Sequence, residues 1–245
     1  MALVVSPLGP IEGVKAGARA SDRYEYTVKR LVPLMLALFV FPPFALAAAT
    51  GSHDETKRLT GTDMTLAKRA AVHRSELATG WRLLHSGRPA DSDFSCSFDP
   101  DLSAFVITGE HETVFEHRAS GARIVSGVGV FRNVKDAAND FKASAKPGFL
   151  RCLRRAMLQG FRQAHLRGTI TWSRMSTTPR LGAQSVSYHL VATVSATSGG
   201  PRVKVYEDFH AFRQGRSQAV VAFMAPLGPV QGQAGLVHLV ERRLR

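Results

Sequence analysis

The sequence predicts an α+β fold: a mainly antiparallel β-sheet packed by helices, in a single exported domain. Two observations carry the fold and a third carries the export. The periodicities are segregated into a helix, a run of strands, two helices, four strands and a last helix, unlike the strict βαβ alternation of a parallel sheet. "QSVSYHLVATVSA" alternates cleanly: Val186, Tyr188, Leu190, Ala192 and Val194 face one way, and Ser187, His189, Thr193 and Ser195 the other. That is an antiparallel strand with one buried face. The third observation is "VKRLVPLMLALFVFPPFALAAAT", residues 28–50, a positive pair at Lys29 and Arg30 followed by an apolar stretch and the small-x-small triplet Ala45-Leu46-Ala47. Signal peptidases read that tripartite pattern.

The alternative for this segment is an uncleaved membrane anchor, because Leu31 to Ala49 nearly reaches the ~20 residues of a spanning helix. Pro33, Pro42 and Pro43 interrupt such a helix, and the alanines cluster where cleavage would fall. The expected organisation is therefore an over-long start or disordered segment at 1–27, a signal peptide at 28–47, a flexible leader at 48–61 and one α+β domain at 62–245. Cys96 is the cysteine nearest the cleavage site, so a lipoprotein anchor is excluded.

Within the domain, Thr62 or Asp63 is expected to cap a helix reaching about Leu77, with Leu66, Ala67, Ala70, Ala71 and Leu77 at helical spacing. Gly80 stops it and Trp81 opens a strand or anchors a turn. "HSGRPADSDFSCSFDPDLS" is rich in turn formers and reads as a loop containing Cys96. "AFVITGE" and "TVFEHRA" are short strands flanking Gly109, and "ARIVSGVGVF" (122–131) is a firmer one whose glycines point to a bulge or a close backbone approach. Asn133 caps a helix with Val134, Ala137, Ala138 and Phe141 on one face. Pro147 then suits the first turn of "KPGFLRCLRRAMLQGFRQAH". "GTITWSRMS", the alternating strand, "RVKVYEDFHAF" and "SQAVVAFMA" form a meander, turning at "SGGP" and "RQGR". Val230, Ala234, Val237, Val240 and Leu244 mark the closing helix.

The arginine-rich helix sorts on a wheel. Phe149, Leu153, Ala156, Met157, Gly160 and Ala164 share one face, while Arg151, Arg154, Arg155 and Arg162 lie opposite and Cys152 sits at the border. The plain reading is a core helix with a solvated basic side. The other is an anion-binding face built from Arg151, Arg154, Arg155 and Arg162. The chain holds 32 Lys+Arg against 19 Asp+Glu, but these basic residues read as scattered, with pairs only at 154–155 and 242–243. A nucleic-acid footprint needs a stripe or patch, and export argues further against nucleic acid as partner.

In an exported domain, Cys96 and Cys152 are expected to form a disulfide. Chain entropy gives a bridge closing that loop a stabilisation of roughly 3–4 kcal/mol. The alternative is a reactive thiol at Cys152 activated by Arg151 and nearby charges. "HETVF" begins like a zinc-protease HExxH, but Phe115 holds the last position. On a strand, His111 and His117 would stand about 20 Å apart, too far to share a metal. The GxG of "SGVGVF" lacks its third glycine, and neither GxSxG nor a P-loop is present. Asp208 and His210 share a strand face with serines available elsewhere, without a sharp turn to present one. No catalytic residue, cofactor or metal is assigned.

The helix, "GW", the "CSFDPDLS" loop, "VFRNVKDA", "FLRCL" and "TPRLG" resemble a group of exported actinobacterial proteins, distantly similar to the extracellular sensor domain of PknH-type kinases and to PsbP-like folds. The resemblance spans roughly Thr62 to the C-terminus. It implies an α+β sandwich, an extracytoplasmic location and a ligand- or partner-binding role. The chain departs from those sensors in having one disulfide where they carry more, and no kinase domain. The expected function is a non-enzymatic extracytoplasmic domain holding a small molecule, a lipid or an envelope protein. The alternatives are an exported enzyme of unknown reaction, or a basic module for anionic envelope polymers or lipid surfaces.

Overall fold

The computed structural model describes residues 55–89, 102–175, 181–226 and 228–245; the signal-like segment with Ala45 and Ala47, and the loop residue Cys96, lie outside them. Along the described chain run β1 (Thr56–Lys57), α1 (Gly61–Ala70), a 3-10 turn (Arg74–Glu76), β2 (Trp81–Gly87), β3 (Val106–His117), β4 (Arg123–Phe131), α2 (Val134–Ser144) and α3 (Pro147–Gln163). Then follow β5 (Leu166–Arg174), β6 (Gln184–Ala196), β7 (Val203–Gln214), β8 (Ser217–Pro226) and α4 (Gln233–Arg243). The strands form one sheet in the order β1-β3-β4-β8-β7-β6-β5, with β2 also on β3. Every pairing between these strands is antiparallel except the short β1–β3 contact, and an isolated parallel bridge joins Gly182 to Arg213. The chain is thus the expected α+β fold.

Strand alternation sends successive residues to opposite faces, and each face takes two helices. On one face Ala67 and Ala70 of α1 and Val237 and Val240 of α4 pack on Phe115, Ile124, Phe212 and Phe223. On the other, Phe141 of α2 meets Val186, Phe209 and Ala222. Beside it, Met157 and Phe161 of α3 meet Leu166, Ile170, Leu190 and Ala192. Each fully buried phenylalanine contributes about 2 kcal/mol by removal from water.

Several elements differ from expectation. Thr60 caps α1, accepting from the Asp63 amide at 3.3 Å, so Asp63 lies in the first turn where the helix dipole favours a carboxylate. α1 stops at Ala70, well short of Leu77, because the sheet captures the next residues. The Val72 amide donates to Ser126 Oγ (3.1 Å), and Thr113 Oγ1 donates to the Val72 carbonyl (3.0 Å). Thr56 and Lys57, expected in a flexible leader, pair with Val106 and Ile107. The two strands expected around Gly109 are one strand, β3, whose register shifts between Ile107 and Gly109. Val134, expected on the apolar face of α2, is 54 % exposed, and Ala137 and Phe141 do the packing.

Candidate functional site

On the α1/α4 face, the β6–β7 register sets Ser187 opposite His210 and His189 opposite Asp208. Ser187 Oγ lies 2.9 Å from His210 Nδ1, and His189 Nδ1 lies 2.6 Å from Asp208 Oδ1. Gln233, in the first turn of α4, donates to the other Asp208 oxygen at 2.7 Å. Burial lowers the His210 pKa, against the raising effects of Gln233 and Asp208, and its Nε2 is buried without a hydrogen-bond partner. The tautomer that suits this environment carries the proton on Nδ1, toward Ser187, because an orphaned N–H is the costlier group to bury.

This quartet is not a hydrolytic triad. Such a triad places one imidazole between nucleophile and carboxylate, one on each nitrogen. Here serine and aspartate touch different imidazoles, and Ser187 is only 2 % exposed. The pairs satisfy polar groups beneath α4.

The opposite face holds a crevice between α2 and the sheet. Phe131, Phe141, Ala145, Val186, Ala211 and Val220 line it, over a floor at Gly129. The space within it and its mouth is about 500 Å3, yet only about 30 Å3 accepts solvent, room for one or two waters. Gln218 stands at its polar side, donating to the Ala137 carbonyl (2.8 Å) and to Asp140 Oδ2 (2.7 Å). Asp140 is 1 % exposed; burial raises its pKa to about 6, opposed by hydrogen bonds with Glu55 and Gln218.

Along β3 on that face, Glu110 pairs with Lys57 (3.3 Å) and Arg88 (2.8 Å), and Glu116 with Arg82 (2.5 Å) and Arg123 (3.3 Å). Between them Glu112 is buried, and its Oε2 has no hydrogen-bond partner. Burial pushes its pKa to about 7, with the His85 charge opposing. His111 points to the other face, its Nε2 at 3.2 Å from Ser86 Oγ, and His117 Nδ1 meets Ser120 at 3.1 Å. Among the described residues no group of three or more His, Cys, Asp or Glu side chains is arranged to hold a metal ion.

Cys152 is 7 % exposed on α3 and is not a free thiol. Its expected partner Cys96 is outside the described residues. Arg151, Arg154, Arg155 and Arg162 are all exposed on α3, away from the crevice lining. Trp172 and Tyr188 meet edge-on at 6.2 Å, and Tyr206 lies 6.2 Å from His189. Asp208 and His210 stand out in the sequence, whereas Ser187 as a partner and the crevice do not. Neither Phe131, Phe141 nor Gly129 carries a local signal of lining a cavity.

No known protein family matches the chain, and neither does any curated protein. Among the described residues no helix is long and apolar enough to cross a membrane.

Proposed function

We propose that this is a non-enzymatic extracytoplasmic domain that binds an apolar or acyl-bearing ligand in the crevice between α2 and the sheet. The observation that carries the reading is the lining: phenylalanines, valines and alanines around a glycine floor, with polar groups confined to Gln218 and Ser144. Binding sites share this composition of apolar wall with a few placed polar groups. The enclosed room is small, so α2 must move outward as the ligand enters. The resemblance to extracellular sensor domains fits the same role and remains part of the proposal.

Native mass spectrometry of the protein isolated from its own host is expected to find a co-purifying amphiphile. A fluorescent fatty acid should bind the isolated protein, and Ala211→Leu, which fills the crevice, should weaken that binding about tenfold while the circular dichroism is unchanged. Equal binding by the variant would refute the site.

The extracytoplasmic part of the reading rests on the segment at 28–47 and on a Cys96–Cys152 bridge. Protein from the exported fraction, unfolded without reduction, should titrate no thiol, and replacing either cysteine with serine should cost about 2–4 kcal/mol. Two titratable thiols would end that reading.

A further inference from the structure

Between Asp140 and Glu207 the sequence contains no aspartate or glutamate, but eleven lysines and arginines. The fold makes this stretch one side of the molecule. It forms α3, β5 and β6, and β5 is the edge strand of the sheet, on which α3 lies. Residues that looked scattered along the chain are therefore gathered in space. From the geometry we infer that the α3–β5 flank is a docking surface for an anionic lipid bilayer.

Arg151, Arg154, Arg155 and Arg162 form one stripe, about 16 Å long at the helical rise of 1.5 Å per residue. All four are exposed, and among the described residues none pairs with a carboxylate. Exposed Lys146 leads into the stripe, and exposed Arg174 stands on the α3 face of β5, opposite Tyr188. The first acid met going inward from this edge is Glu207 on β7, half-buried, which burial pushes to about 7. No carboxylate on α3, β5 or β6 opposes the field of these cations. Closely spaced like charges on a solvated helix repel one another, so leaving them unpaired costs stability unless a partner neutralises them.

The shape selects a bilayer over other polyanions. The charges lie on a convex helix and not in a groove, and among the described side chains of α3 no aromatic ring is exposed to stack a base or a sugar, Phe161 being 2 % exposed. Half-buried Leu150 and Leu158 border the stripe, apolar margins suited to a lipid headgroup layer. Export through the segment at 28–47, on which the proposed function rests, also takes the chain past a membrane surface. Basic clusters near an anionic leaflet bind it through summed, salt-sensitive attraction.

The test is co-sedimentation of the protein as isolated from its host with vesicles of mixed phosphatidylglycerol and phosphatidylcholine, compared with phosphatidylcholine alone. The latter arm reports any insertion of the apolar segment, which does not depend on lipid charge. Binding to the anionic vesicles is expected to exceed binding to neutral ones and to collapse at high salt. The variant Arg151→Gln, Arg154→Gln, Arg155→Gln, Arg162→Gln should lose at least about tenfold in anionic-vesicle partition, and about a hundredfold or more if all four reach the headgroups. A control of equal charge, Arg58→Gln, Lys68→Gln, Arg69→Gln, Arg118→Gln, removes exposed cations from the other half of the chain and should lose far less. Equal losses in the two variants would show a net-charge effect and overturn the assignment. So would retention on immobilised polyphosphate with no preference for anionic vesicles. Circular dichroism of both variants checks that the fold is intact, as the exposure of all eight side chains leads one to expect.

Discussion

Ser187 and His210 meet on neighbouring strands, one register step from His189 and Asp208, and each pair closes on itself. Strand alternation made Asp208 and His210 legible as neighbours on one face. Their partners depend on the β6–β7 register, which the turn with left-handed Gly199 and Gly200 sets, and that was not legible. The structural role has a measurable consequence. Ser187→Ala removes the hydrogen-bond partner of buried His210 Nδ1, so it should cost about 1–3 kcal/mol in a urea titration. A serine-directed fluorophosphonate should label neither the parent nor the variant. Labelling at Ser187 would restore the enzymatic alternative.

Gly109 shows how an element is misread from a single residue. A glycine between two apolar runs looks like a break, yet β3 passes through it. A Cβ there would lie 2.3 Å from the carbonyl carbon and oxygen of Asp63, so glycine lets the first turn of α1 press on the strand. The same turn is tied to the β7–β8 corner by Arg216, which donates to both oxygens of Asp63 at 2.5 and 2.8 Å. Gly109→Ala must lift that turn and should cost about 1–3 kcal/mol, read as a lower urea midpoint with unchanged slope. A loss below about 0.5 kcal/mol, the range of ordinary surface changes, would show that α1 yields freely. α2, capped by Asn133, and α3, long, periodic and opened by Pro147, were legible. β1 was not, because two paired residues carry no periodicity, and the end of α1 was not, because Ser126 and Thr113 lie far along the chain from Val72.

At the scale of the molecule, charge is divided unevenly: residues 141–206 hold eleven Lys and Arg and no acid. That asymmetry was in the sequence, but it had no spatial meaning until α3 and β5 were placed at one edge. The buried carboxyls give a second global property, the response to pH. Burial raises Glu112 and Glu207 to about 7, from 4.5 in the unfolded chain. A carboxyl raised on folding stabilises the native state while it is protonated, and this is lost as pH rises through the folded value. Falling pH should therefore stabilise the protein between about 8 and 6.5, with Glu112 contributing about 1 kcal/mol over that window. Below 6.5 the sign is contested. His111 and His210, held neutral by burial, oppose the carboxyls from about pH 7.5 downward, and more strongly below about 6.5, as the unfolded chain gains their protons. Lower still, Asp63 is held below its usual range by Arg216, and Glu116 by Arg82 and Arg123 despite its burial; each withdraws its contribution as it protonates. The melting temperature should thus rise by about 2–4 °C from pH 8 to 6.5, since about 1 kcal/mol moves a domain of this size by that much. Glu112→Gln should raise the melting temperature at pH 8 and flatten the slope. A parent that melts lower at pH 6.5 than at pH 8, or a variant with the parent's slope, would mean that Glu112 is ionised in the folded protein and paired with a cation.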